Sequence, residues 1–168
     1  MIILGIDTAM RCTGYGIISV SNGKFNAVDC GVIKNGKDLP HSKCLKRLSG
    51  GIKELISSYH IDAAAIEGAF YFKNIKTTMI LGYARGCIMT TLAEADIPIF
   101  AYAPKEIKMA ASGFGNASKS QIGVLVSSML NIDVNNIEDD ATDALAIAIC
   151  HANRINTSAL DCYNLKQI

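Results

Sequence analysis

Glu138, Asp139, Asp140 and Asp143 crowd into six positions of the segment "IEDDATDALAIAI", residues 137–149, whose other residues are almost all apolar. Acids in the first turn of a helix are stabilised by its dipole, by ~0.3–1 kcal/mol each. That accounts for one or two of the four. Asp143 lies further in, ahead of an Ala/Leu/Ile run that a core would bury on both faces. Asp140 and Asp143, three apart, share a helix face. So do Asp139 and Asp143, four apart, and spacing does not choose between the two pairs. Two carboxylates ~4 Å apart repel by ~4 kcal/mol at an effective dielectric of 20, more than the dipole returns. Divalent cations would reverse that balance.

Two further carboxylates stand at the ends of short apolar runs, Asp7 after "MIILGI" and Glu67 after "DAAAI". In a parallel sheet the C-terminal ends of the strands lie along one edge, where α/β folds place their sites. A helix N-terminus at that edge would join Asp7 and Glu67 to Asp140 and Asp143. Four carboxylates without a suitably spaced Cys or His favour oxygen ligation, hence Mg²⁺ or Mn²⁺ and not Zn²⁺. Two such ions can activate a water and stabilise the leaving oxygen of a phosphodiester.

The elements that would position these groups follow from periodicity and turn signals. Residues 2–6, 14–20, 25–33, 62–68 and 97–102 read as strands, with "SNGK" giving a hairpin between the second and third. Leu45, Leu48, Ile52, Leu55 and Ile56 recur at helical spacing between Leu39 and Tyr59. A long helix spans 74–95 with Asn74 as its N-cap, and Pro104 opens a short helix to about Ala111. Helices over 118–130 and 139–153 follow. This order predicts an α/β fold, a mixed five-stranded sheet flanked by helices. A single domain over 1–154 and a polar, frayed tail over 155–168 are expected.

Half of the 168 residues are apolar and 18% are charged, which suits a globular chain with a real core. No apolar stretch reaches the ~18 residues of a membrane span, and the N-terminus lacks a signal peptide's basic region. The six cysteines show no metal-ligand spacing and read as reduced thiols in a cytoplasm. The net charge is only +1, but it is unevenly spread. Lys34, Lys37, Lys43, Lys46, Arg47 and Lys53 face Asp38 alone over 34–53, whereas 133–143 holds five acids and no base. Positive segments around a compact negative site fit a protein that grips a polyanion and works on it with metal. An ordinary, unevenly charged surface would look the same on charge alone.

"GID" (5–7), "TGYG" (13–16), "AIEGAF" (65–70), "LGYARG" (81–86), "YAPKEIKMAASGFGNASKSQI" (102–122) and "DATDALAIAICHA" (140–152) together resemble the RuvC family of bacterial Holliday junction resolvases. Each motif is weak alone; six in register, from Ile3 to about Arg154, are specific. The resemblance implies a ribonuclease H-like fold and a homodimer that binds four-way junction DNA. It implies symmetric paired nicks with Mg²⁺, or Mn²⁺ in its place, in recombination and repair, two ions per site, and a branch-migration helicase complex as partner. The family's acidic tetrad falls on Asp7, Glu67, Asp140 and Asp143, which selects Asp140 over Asp139. Lys119 then belongs beside the scissile phosphate as a catalytic group. Phe70 matches the family residue that wedges into the junction, and the expected DNA-binding set is Phe70, Lys73, Asn74, Lys105, Lys108 and Lys119. Unaided, the lysines read as ordinary solvated side chains, and Tyr71 and Phe72 as packing under the helix. The small-residue stripe around "GYARG", with Gly82, Arg85 and Gly86, becomes a candidate subunit interface. His151, about 12 Å along the helix from Asp143 at 1.5 Å per residue, is expected to be packed and not a ligand.

Two departures from the family pattern stand out. Thr8-Ala9 replaces the usual Pro-Gly, which removes freedom at positive φ beside Asp7. Gly68 stands where Gln is common and should loosen the loop toward Phe70. The rival readings are a junction-binding module that does not cut and an actin-like-fold nucleotide-binding protein. The first has no reason to keep four acids, and the second needs a further lobe for which the chain has no room.

Overall fold

A computed structural model of the chain describes residues 1–68, 74–112, 118–158 and 167–168. Phe70, Tyr71, Phe72, Lys73 and the "GFGNA" loop lie outside the described residues. Strands β1 (Ile2–Asp7), β2 (Cys12–Ser21) and β3 (Lys24–Lys34) form an antiparallel meander. Asn22 and Gly23 both take positive φ, 51° and 73°, as a two-residue Asn-Gly hairpin turn requires. Helix α1 (His41–Ser58) then leads to β4 (Ala63–Glu67), and α2 (Ile75–Ala93) to β5 (Ile99–Tyr102). β4 pairs in parallel with both β1 and β5, so the sheet order is β3-β2-β1-β4-β5. Helices α3 (Pro104–Ser112), α4 (Lys119–Leu130) and α5 (Asp139–Ser158) complete the chain, with a 3₁₀ turn at Val134–Asn136 that periodicity did not indicate. The last helix runs to Ser158, past the end expected from periodicity. The mixed five-stranded sheet flanked by helices is the architecture foreseen. No helix among the described residues is long and apolar enough to cross a membrane.

Strand alternation divides the core between the two faces. Leu4, Ile6, Ile17, Ala64 and Ile66 pack against α1 and α2 through Ile52, Leu55, Ile88 and Leu92. Ile3, Ile18 and Ala65 face α5, whose residues 144–150 and Ala152 are all buried. That arrangement explains the two-sided apolar run after Asp143: α5 lies between the sheet and the pair α3 and α4.

Three strand glycines let α5 come down onto the sheet. A Cβ on Gly5 would stand 2.7 Å from the Ala148 nitrogen, and one on Gly16 would stand 2.7 Å from the Leu145 nitrogen. A Cβ on Gly14 would collide with the Asp140 carbonyl. The glycines of "TGYG" therefore serve close approach of backbone to backbone. Gly50, inside α1, is different: a methyl added there would meet nothing within 4 Å. Gly50→Ala should stabilise the fold by ~0.5–1 kcal/mol through lower unfolded-chain entropy and better helix propensity. A denaturant midpoint unchanged or lowered would contradict this.

Candidate active site

Register brings the first two carboxylates together. β1 and β4 run in parallel with Ile3 beside Ala63 and Ile6 beside Ile66, so the next residues in step are Asp7 and Glu67. In-register neighbours of a parallel pair project to the same face, and here it is the face that α5 covers. Asp140 and Asp143 enter from the start of α5. Burial first, and then the charges of Asp143, Glu67 and Asp140, push the Asp7 carboxyl from 3.8 up to about 7. Glu67 is also raised, by burial first and then by Asp143, against the pull of Arg85, Lys108 and Lys119. All four sequence-selected acids thus share one electrostatic site.

Among the described residues no three Asp, Glu, His or Cys side chains form a ready-made metal-ligand cluster. Lys119 pairs with one of the four carboxylates: its Nζ lies 2.9 Å from Asp143 Oδ2. Lys119 opens α4 behind a capping box, with Ser118 Oγ accepting from the Gln121 backbone N–H and the Gln121 side chain returning to the Ser118 N–H. The donor set fits a hard divalent cation: only carboxylate oxygens, a surplus of negative charge, and one acid held near neutrality until a cation arrives.

The remaining candidates separate. Lys108 acts on Glu67 and so lies on the site's side of α3. Lys105 is exposed and lines a different groove with Tyr102, Met109 and Arg154. Asn74 caps α2, its side-chain oxygen accepting from Lys76 and Thr77 at 3.0 and 3.3 Å. Gly82 and Gly86 lie open on α2, whereas Arg85 is half-buried and its Nη1 donates to the Glu67 main-chain carbonyl. His151 is buried, stacked on Phe100 at 4.4 Å, with its Nδ1 2.6 Å from the Tyr102 hydroxyl. Burial lowers its pKa to about 4, so it is a neutral core residue.

At the first departure from the family pattern, the Thr8 hydroxyl is buried without a hydrogen-bond partner among the described residues. Thr8 and Ala9 both have negative φ, and Thr13 Oγ1 is bonded to both the N–H and the carbonyl of Ala9. Gly68 itself is tied to the sheet, its N–H donating to the Tyr102 carbonyl at 2.7 Å, and the loop from it to Phe70 lies outside the described residues. Two neighbours of the site had no signal in spacing. Besides Arg85, Cys12 sits at the start of β2, where burial foremost and then the nearby Asp140 lift its thiol to about 11. Only the β1–β2 pairing and the position of α5 bring Cys12 there.

The profile of a family described as crossover junction endodeoxyribonuclease RuvC matches residues 3–151. This chain belongs to the RuvC family. A crossover junction endodeoxyribonuclease RuvC from Thermotoga petrophila is 43% identical over 152 residues, covering 90% of this chain and 92% of that relative. One from Clostridioides difficile is 39% identical over 153 residues, covering 91% and 90%. Among solved structures, T. thermophilus RuvC in complex with Holliday junction substrate superposes with a TM-score of 0.91 at 25% identity, covering 100% of this chain and 99% of that one. The yeast mitochondrial Holliday junction resolvase Ydc2, at 15% identity and a TM-score of 0.64, shares the fold; the match covers 95% of this chain and 84% of that one.

Proposed function

We propose that this chain is a homodimeric Holliday junction resolvase that nicks two strands of a four-way junction with two Mg²⁺ ions per site. The observation that carries the reading is the convergence of Asp7, Glu67, Asp140 and Asp143 on the sheet edge, in a chain of the RuvC family. These four would hold the ions, which when bound supply an activated water and a stabilised leaving oxygen. The protein's own part is positional. Asp7, its carboxyl raised to about 7, would ionise in holding a cation. Lys119, paired with Asp143, would offer its charge to a phosphate entering the site. Lys108, on the same side, contributes positive potential toward the DNA backbone. Phe70, Lys73 and Asn74 follow β4 in sequence and lead into α2, next to Glu67, which suits contact with the junction.

The dimer reading rests on α2. Ile75, Met79 and Tyr83 are 66%, 52% and 48% exposed and recur every four residues, beside the open Gly82 and Gly86. A helix stripe of this kind buries itself against a symmetry mate, and a two-fold partner places two sites on a symmetric junction. Association with a branch-migration helicase is inferred from the family alone. The five thiols among the described residues are all free, in keeping with a bacterial cytoplasm.

The deciding test uses a labelled four-way junction with a mobile core, run with wild type and Asp140→Asn in Mg²⁺ and in EDTA. Wild type should give paired symmetric nicks only with Mg²⁺. Asp140→Asn should bind but cut at least about a hundredfold more slowly, matching the several kcal/mol a metal supplies. Binding without cutting by both proteins would indicate a junction-binding module. No junction binding would remove the resolvase reading, and nucleotide binding would be tested next.

A further inference from the structure

We propose that Arg85 is a positioning residue for Glu67, holding the main-chain carbonyl of that acid from α2 and thereby linking the exposed face of α2 to the metal site. The inference rests on the reading of Glu67 as a metal ligand.

Glu67 is the last residue of β4, where the sheet runs out of backbone partners. On the β5 side the chain is still held, because the Gly68 N–H donates to the Tyr102 carbonyl. On the other side no strand among the described residues supplies a donor to the Glu67 carbonyl, and the Arg85 guanidinium does so instead. The contact is sheltered. Arg85, Glu67, Gly68, Thr8, Leu81 and Gly82 line a small cavity of about 130 Å³ between the sheet edge and α2. The bond is part-buried and charge-assisted, and so stronger than one between neutral groups. Fixing the carbonyl fixes the residue's backbone, and with it the direction in which the carboxylate leaves the strand.

The same helix turn faces outward. Gly82 borders the cavity and also belongs to the open stripe of Ile75, Met79 and Tyr83. Arg85 is one turn further along on the cavity side. A partner seated on the stripe would lie against the helix turn that anchors Glu67. Formation of the dimer would set the geometry of the metal ligand, so that an isolated subunit cuts poorly even where it binds DNA. Lys is a poor replacement for Arg here, because its ammonium ends one bond short of the place Nη1 occupies and keeps a stronger hold on its own hydration.

Direct binding of Mn²⁺ to the full-length chain, followed as loss of the free-ion electron paramagnetic resonance signal, tests this without relying on cleavage. Arg85→Ala should bind junction DNA in EDTA as wild type does, and should bind Mn²⁺ at least about tenfold more weakly, the scale on which outer partners of metal ligands act. Millimolar guanidinium, which fits the vacated volume, should restore Mn²⁺ binding where equal sodium chloride does not. Wild-type Mn²⁺ affinity in Arg85→Ala would overturn the proposal whatever happens to cleavage. If Arg85→Ala does not fold, Arg85→Lys gives the same comparison and should also bind Mn²⁺ more weakly. Glu67→Gln is the separate control. If it binds Mn²⁺ as wild type does, the reading of Glu67 as a ligand fails independently of Arg85.

Discussion

Asp7→Asn should abolish cleavage and, at the same time, make the metal-free protein more stable. The two effects have one cause. Asp7 stands among Asp143, Glu67 and Asp140 in a largely dehydrated position, and its carboxyl is lifted from 3.8 to about 7. The folded chain therefore keeps a proton that the unfolded chain gives up. Below pH 3.8 both states are protonated and the group has no effect on stability. As pH rises from there to about 7 the unfolded state ionises first, and stability falls, by up to about 4 kcal/mol once the folded carboxyl also ionises. Asparagine does not titrate. The variant's advantage should grow over that window and level off above it, read as the difference in thermal midpoint between about pH 4 and about pH 8 without metal. Mg²⁺ should reverse the order, raising the midpoint of wild type and scarcely moving that of Asp7→Asn. Equal midpoints at the alkaline end would show that Asp7 is not under repulsion. Retained cutting would show that it is not a ligand.

Gly14→Ala should be nearly as damaging without touching any acid. The new methyl would lie inside the contact distance of the Asp140 carbonyl, which is backbone and cannot rotate away. The first turn of α5 has to lift from β2, carrying Asp140 and Asp143 with it. Overpacking of this kind costs ~1–3 kcal/mol or more. A displacement of ~1 Å at a reacting centre can cost about a hundredfold in rate. We expect a lower denaturant midpoint and a loss of cleavage larger than the loss of stability explains, with junction binding kept. Gly50→Ala is the control, since its methyl meets nothing. Normal cleavage by Gly14→Ala would mean that the approach of α5 does not set the site.

How far the site was legible depends on what each residue's neighbours do in the sequence. Asp7 and Glu67 announced themselves because each ends a short apolar run, and chain direction alone puts such ends at one edge of a parallel pair. Asp140 and Asp143 stood out because acids lead into a helix that is buried all round. The choice of Asp140 over Asp139 came from the family resemblance, since both are compatible with helix spacing. Lys119, which the resemblance assigned to the scissile phosphate, is paired with Asp143 in the folded chain. Arg85 was legible only as a member of a small-residue stripe, because nothing in "GYARG" tells which way a half-buried guanidinium turns. Cys12 carried no signal at all.

The sequence by itself therefore determined the element order, the hairpin at Asn22-Gly23 and the kinship with the RuvC family, and through that kinship it named the candidate acids. Each of these rests on local periodicity, turn chemistry or motif order, which a linear chain carries in full. Only the tertiary structure decided that Asp7 and Glu67 stand in the same register on the α5 face, and that Gly14 admits the Asp140 backbone. Only it turned Arg85 toward the Glu67 carbonyl. Those facts depend on strand pairing and helix approach between segments far apart in the chain, and spacing along the sequence contains no measure of that distance.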